Sequence, residues 1–164
     1  MPGLSKLRLL LAAVAFALAF YIATSGRFNE PAPAFSLPRV YGGQVSLESY
    51  RGRPVLLVFW TTSCPICQHE LPVLSRLEPE MRDKGVSVLA ILLGGEDDAS
   101  EFMGANNINL TTAYDSDGTV GRAYRVGGVP KLVLVGNDGK VKCSRSGWTD
   151  EDTLRHWIDS VSGG

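Results

Sequence analysis

The chain has 164 residues, 16 Lys and Arg against 17 Asp and Glu, and 45% hydrophobic residues. That composition describes one globular domain with a small appendage and excludes the strongly basic surface that nucleic-acid binding demands. Its three cysteines are too few, and odd in number, for a disulfide framework, so the pair spaced Cys64-Pro65-Ile66-Cys67 requires a redox or a metal explanation.

The first element follows Lys6 and Arg8: an uncharged stretch over residues 9–26, rich in Leu, Ala, Val and Phe. A spanning helix takes roughly 17–25 apolar residues and the core of a cleaved signal about 7–15, and this stretch lies at the border. It is read as an uncleaved signal-anchor occupying residues 1–26, with cleavage after Ala17-x-Ala19 as the alternative. Basic residues before the run put the N-terminus in the cytoplasm and everything after the run outside. Residues 27–33 carry turn formers and no periodicity, which predicts a linker, and the folded domain is expected over residues 34–164.

Short extended pieces around residues 35–37 and 44–47, separated by Gly42-Gly43, predict a hairpin at the domain entrance. Residues 55–60, Val-Leu-Leu-Val-Phe-Trp after Pro54, are continuously apolar, as in a strand covered on both faces. After Cys64 the period turns helical, with Leu71, Leu74 and Leu77 three apart, and Pro72 and Pro79 are expected to bend or end that helix. Residues 86–93 read as a second buried strand. Glu96-Asp97-Asp98 then open a helix through Met103, where acidic side chains suit the positive helix end. Residues 131–135 and 141–143 flank Asn137-Asp138-Gly139, a hairpin signal, and Thr149 with Asp152 starts a last amphipathic helix through Val161. Strand, helix, strand, helix, hairpin and helix in that order describe an α/β sandwich around a mixed sheet.

A Cys-x-x-Cys at the junction of a buried strand and a helix sets the first sulfur among the unpaired N–H groups of the helix N-terminus, a place that favours thiolate. Cys64 is therefore the expected nucleophile. Cys67, one turn into the helix, faces inward and is expected to close the redox-active disulfide on it. The metal reading needs further ligands, for which His69 and Cys143 are the candidates by residue type. No zinc-type second pair is present, and the dithiol is read as working with no metal and no cofactor.

The segment from Phe59-Trp60-Thr61-Thr62-Ser63-Cys64 through Glu70-Leu71-Pro72 resembles the active-site segment of thioredoxin-fold proteins. Pro33-Ala34-Phe35 and Gly52-Arg53-Pro54 extend the likeness to the membrane-anchored, extracytoplasmic branch that includes TlpA, ResA and the cytochrome c maturation reductases. Ser146-Gly147-Trp148-Thr149 is closer to the suppressor-of-copper-sensitivity D proteins. The resemblance covers roughly residues 33–161 and implies a thioredoxin-like three-layer sandwich with an N-terminal hairpin extension. It further implies a cis peptide before Pro130 against the dithiol, a Val129 backbone that pairs with an extended client segment, and client contact by Trp60, Pro65 and Ile66. Trp60 is by its own position more a core and site-shaping residue than a chemical one.

In ResA-like proteins the acid at the position of Glu70 takes part in proton handling. Glu70 lies three residues after Cys67 on the same helix face, so a partly buried carboxylate there can take the proton that Cys67 must lose. Val58 stands where thioredoxin itself carries a buried aspartate for that task. His69 is expected to be exposed, and Cys143, alternating with Val141, is expected on the buried face of its strand as a packed small hydrophobe. Nothing in the chain reads as an NADPH or flavin site, so the resemblance implies electrons from a membrane carrier of the DsbD or CcdA kind. Disulfide-bearing client proteins and a monomeric state complete the expectation. The residues between the cysteines include no basic dipeptide of the strongly oxidising sort, which favours net reduction of clients; an oxidase or isomerase, or a copper- or zinc-binding module, stands as the alternative.

Overall fold

The computed structural model describes residues 29–162. The expected anchor over residues 1–26 lies outside them, and among the described residues no helix is long and apolar enough to cross a membrane. Two short antiparallel strands, β1 (Ser36–Pro38) and β2 (Gln44–Ser46), form the entry hairpin. A 3-10 turn over Leu47–Tyr50 leads into β3 (Val55–Trp60), which is buried at every position. Helix α1 (Pro65–Asp83) follows, then β4 (Ser87–Leu92), α2 (Glu96–Ala105), β5 (Thr111–Tyr114), α3 (Thr119–Ala123), β6 (Lys131–Val135), β7 (Val141–Ser146) and α4 (Glu151–Val161).

The five-stranded sheet has the order β5-β4-β3-β6-β7. Strand β3 runs parallel to β4 and antiparallel to β6, in the register Leu57↔Leu89 and Leu57↔Val133. Residues alternate along β3 between two apolar layers. Leu56, Val58 and Trp60 join Leu71, Leu74, Leu77, Met103, Leu154 and Ile158 on the side of α1, α2 and α4. Val55, Leu57 and Phe59 join Phe35, Leu37, Val45, Val120 and Tyr124 on the side of the hairpin and α3. This is the expected three-layer sandwich with a mixed central sheet. Strand β5 and the short helix α3 were not anticipated, because Thr111-Thr112-Ala113-Tyr114 has no long apolar run, and the Asp117-Gly118 turn signal beyond it was not used.

Three boundaries differ from the sequence reading. Helix α1 continues through both Pro72 and Pro79. A proline inside a helix costs about 3 kcal/mol or more, whereas burying each of Leu71, Leu74, Leu77 and Met81 returns roughly 1.5–3 kcal/mol, so the continuous apolar stripe prevails. The cap of α4 is Asp150, whose side chain accepts the Thr153 N–H at 2.8 Å, rather than Thr149. Residues expected to be linker belong to the domain: the Asn29 and Ala32 N–H groups donate to the carbonyls of Val141 and Gly139, and Val141 N–H donates to Glu30. At the opposite sheet edge Val40 N–H donates to Thr112. The segment from 29 to 40 thus crosses under the sheet and covers part of both edge strands, which otherwise present unpaired backbone groups.

A further correction concerns Cys143. Strand β7 carries a register shift where Leu134 faces Cys143 and Val135 faces Val141, so Lys142 is the extra residue. A bulge resets the alternation. Val141 packs into the hairpin-side layer, while Cys143 is half-buried against the helix-side layer. Burial pushes its thiol pKa up, away from ready ionisation.

Leu74 is fully enclosed at the middle of α1. Leu74→Ala should lower the unfolding free energy by about 2–5 kcal/mol, measured as a lower urea midpoint with an unchanged m-value.

Candidate active site

Because β3 has no free face, the chain leaves it only at the sheet rim, where Thr61–Cys64 turn into α1. Cys64 N–H donates to Thr61 O at 3.4 Å, and the Gln68 side chain donates to Thr62 O at 2.7 Å. Cys64 is the N-cap of α1: its Sγ accepts the Cys67 N–H at 3.1 Å, and Pro65 occupies the first helical position, where a missing N–H costs nothing. Cys64 and Cys67 form a disulfide with a Cα–Cα separation of 5.2 Å. Cys67 is wholly buried and Cys64 is half-buried, so of the pair only Cys64 reaches solvent.

The Val129–Pro130 peptide is cis, and the Val129 carbonyl oxygen lies 3.6 Å from Cys64 Sγ. Pro130 is buried and Val129 half-buried, with their loop resting against the dithiol. Beside it, Lys131 is half-buried and donates from Nζ to the Arg125 carbonyl at 3.0 Å. Burial, with a lesser push from the Arg125 charge, lowers its pKa.

Glu70 has no exposed surface. Its Oε1 accepts the Thr149 backbone N–H at 2.9 Å, while Oε2 is buried with no partner among the described residues. Burial pushes the carboxyl up to about 7, against the Thr149 N–H and the Arg145 guanidinium, which favour the charged form. A group titrating there exchanges protons readily at neutral pH.

The structure brings Cys64, Cys67, Glu70, Val129 and Pro130 to one end of the sheet, with Pro65 and Ile66 exposed beside them. Trp60 is the core, site-shaping residue that its position suggests and not the client contact that the resemblance implies: it is fully enclosed, its ring 5.5 Å from that of Phe102, and offers no surface to a client. His69 is exposed as expected, and its ring lies against Trp148 with centroids 5.0 Å apart. Sequence reasoning gave no site role to the segment 147–149, which runs directly over Pro130 and Glu70. The available signal was the Gly147-Trp148 pair itself, a glycine directly before an aromatic residue; the glycine takes a left-handed φ of 82°.

Comparison with known proteins agrees with this geometry. The model of the AhpC/TSA family matches residues 28–144. Among characterised sequences, the thiol-disulfide oxidoreductase ResA of Geobacillus kaustophilus is 35% identical over 161 residues, covering 94% of this chain and 91% of its own. ResA of Geobacillus thermodenitrificans is 30% identical over 159 residues, with the same coverages. Among solved structures, a chain described as the thiol:disulfide interchange protein DsbE of Chlorobium tepidum superposes with a TM-score of 0.77 at 30% identity, covering 83% of this chain and 98% of that one. On the family match and these two ResA relatives, the chain belongs to the AhpC/TSA family of the thioredoxin fold, as a thiol-disulfide oxidoreductase of the ResA/DsbE type built on the Cys64–Cys67 pair.

Proposed function

We propose that the protein is a membrane-tethered, periplasmic reductase of client disulfides, serving cytochrome c maturation or a related redox task. The observation that carries the chemistry is a half-exposed Cys64 capping α1, paired with an enclosed Cys67 that has a carboxyl three residues on. In the reduced protein, the Cys64 thiolate attacks a client disulfide, forming the mixed disulfide and releasing one client thiolate. Glu70 takes the proton of Cys67, and the Cys67 thiolate then attacks Cys64 Sγ. That step closes the disulfide found here and frees the second client thiolate with both electrons. With Oε1 engaged by Thr149, Oε2 is the atom that receives the proton. Val129 and Pro130 shape the docking groove, and Pro65 and Ile66 form its exposed lip. The Leu-, Ala- and Phe-rich run over residues 9–26 supports the tether, and a membrane donor of the DsbD or CcdA kind returns the electrons.

Cys64→Ser should abolish reduction of insulin disulfides. Equilibration with glutathione buffers should give a potential well below about −150 mV; a value at or above that figure removes the reductive direction. Sequencing the N-terminus of the protein in the membrane fraction tests the tether, since a start near Phe20 or Ser25 means cleavage.

The Glu70 role has two readouts. In a stopped-flow assay of mixed-disulfide resolution, the rate in the parent should rise with pH through about 7, and Glu70→Gln should remove that inflection. Stability supplies the second. The folded carboxyl is raised to about 7 from 4.5, so the folded state holds this proton more tightly than the unfolded one. Its contribution is most favourable below the unfolded value, declines as pH rises, and levels off above about 7. Unfolding free energies from urea titrations of the oxidised parent and of Glu70→Gln, compared across that interval, should diverge in favour of the variant by at most about 3.4 kcal/mol.

A further inference from the structure

Among the described residues three large apolar side chains are exposed: Tyr41, Ile66 and Trp148. Tyr41 sits at the turn between β1 and β2. The other two belong to the dithiol end of the molecule, Ile66 between the cysteines and Trp148 on the segment that crosses over Pro130 and Glu70.

The backbone on each side of Trp148 is held by the site itself. Gly147 N–H donates to the Pro130 carbonyl at 2.8 Å, and Thr149 N–H donates to Glu70 Oε1 at 2.9 Å. Thr149 is fully buried, which seats that end of the segment in the core. Trp148, in contrast, remains 38% exposed as a residue, with His69 against its ring at a tilt of 34°. A partly exposed ring whose backbone is held on both flanks, and which rests on a neighbouring ring, has less freedom for binding to remove than one on a mobile loop. Trp148 would also be the most effective kind of contact residue, offering a large face of few rotatable bonds. From Cys64 Sγ a continuous path of contacts reaches it: the Val129 carbonyl at 3.6 Å, the cis peptide, the Pro130 carbonyl and Gly147.

We propose that Trp148, seated on His69, is a specificity-determining residue that binds an aromatic or large aliphatic side chain of the client next to the cysteine under attack. The occupant is an extended segment of the client chain lying along Val129–Pro130, so that one neighbour of its cysteine meets the indole while its sulfur meets Cys64. This rests on the reading that Cys64 attacks client disulfides. It adds a preference that the dithiol alone would not produce. Clients carrying small or acidic residues beside the cysteine gain nothing from the indole.

The test uses the reduced full chain and two short peptides, each joined through its single cysteine to glutathione, one with Phe and the other with Gly flanking that cysteine. Each reaction transfers two electrons from the Cys64–Cys67 dithiol to the mixed disulfide, leaving the protein disulfide, the peptide thiol and glutathione. Single-turnover rates are recorded against peptide concentration for the parent, Trp148→Ala and Trp148→Phe. The parent should favour the Phe peptide about ten-fold, the equivalent of about 1.4 kcal/mol, through a lower half-saturating concentration at a similar maximal rate. Trp148→Ala should bring the ratio of the two peptides to near one, and Trp148→Phe should retain most of it. Because the ratio is taken within each variant, loss of folded protein cancels from it. An indifferent parent, or a ratio that persists in Trp148→Ala, overturns the proposal. Reduction of either peptide by Cys64→Ser would instead overturn the reading of the dithiol on which the proposal rests.

Discussion

Burial of β3 on both faces is the constraint from which the site follows. All six of its residues are enclosed between two apolar layers, so the strand has one place to release the chain, at the rim of the sheet. There the polypeptide must begin α1 with its first N–H groups unpaired. Cys64 answers that need by capping the helix with its own sulfur, and the reactive position is therefore also the point where the helix is anchored to the sheet. Thiolate formation at Cys64 and satisfaction of the helix start draw on the same N–H groups.

The second half of the site comes from far along the chain. The loop before β6 delivers Val129 and Pro130 because β6 pairs antiparallel to β3, with Lys131 opposite Phe59. Antiparallel pairing means that the start of β6 meets the end of β3, which brings residues 129–130 to the dithiol. The end of β7 meets the start of β6 for the same reason, with Ser146 opposite Lys131. Three loops separated by up to 85 positions, from Cys64 to Thr149, therefore converge on a single rim.

Glu70 ties these loops together. A carboxyl with no exposed surface favours its neutral form, and the single N–H from Thr149 offsets that only in part, leaving it near neutrality. The structure thus places a group of intermediate acidity one helical turn from a buried cysteine and bonds the same group to the backbone that carries Trp148. Proton handling and the shape of the outer groove share one side chain.

Much of this was legible from residues alone. The apolar run over residues 55–60, the helical spacing of Leu71, Leu74 and Leu77, and Asn137-Asp138-Gly139 each encode a local preference strong enough to survive folding. The dithiol at the strand-to-helix junction was legible for the same reason. What sequence could not supply was anything decided by packing against distant residues. Pro72 and Pro79 argued locally for a break, yet the apolar stripe between them holds α1 straight through. Val141 and Cys143 argued by alternation for one face, yet the bulge at Lys142 divides them between two. Trp60 read by its position as a core, site-shaping residue and by resemblance as a client contact, and packing against Phe102 leaves it only the first role; Thr149 read as a helix cap, a place that Asp150 takes. Sequence by itself determined which elements form and where the reacting sulfurs lie, because both depend on neighbours within one turn or one strand. Only the tertiary structure decided which side chains stand in water around those sulfurs, because burial is a property of the assembled layers.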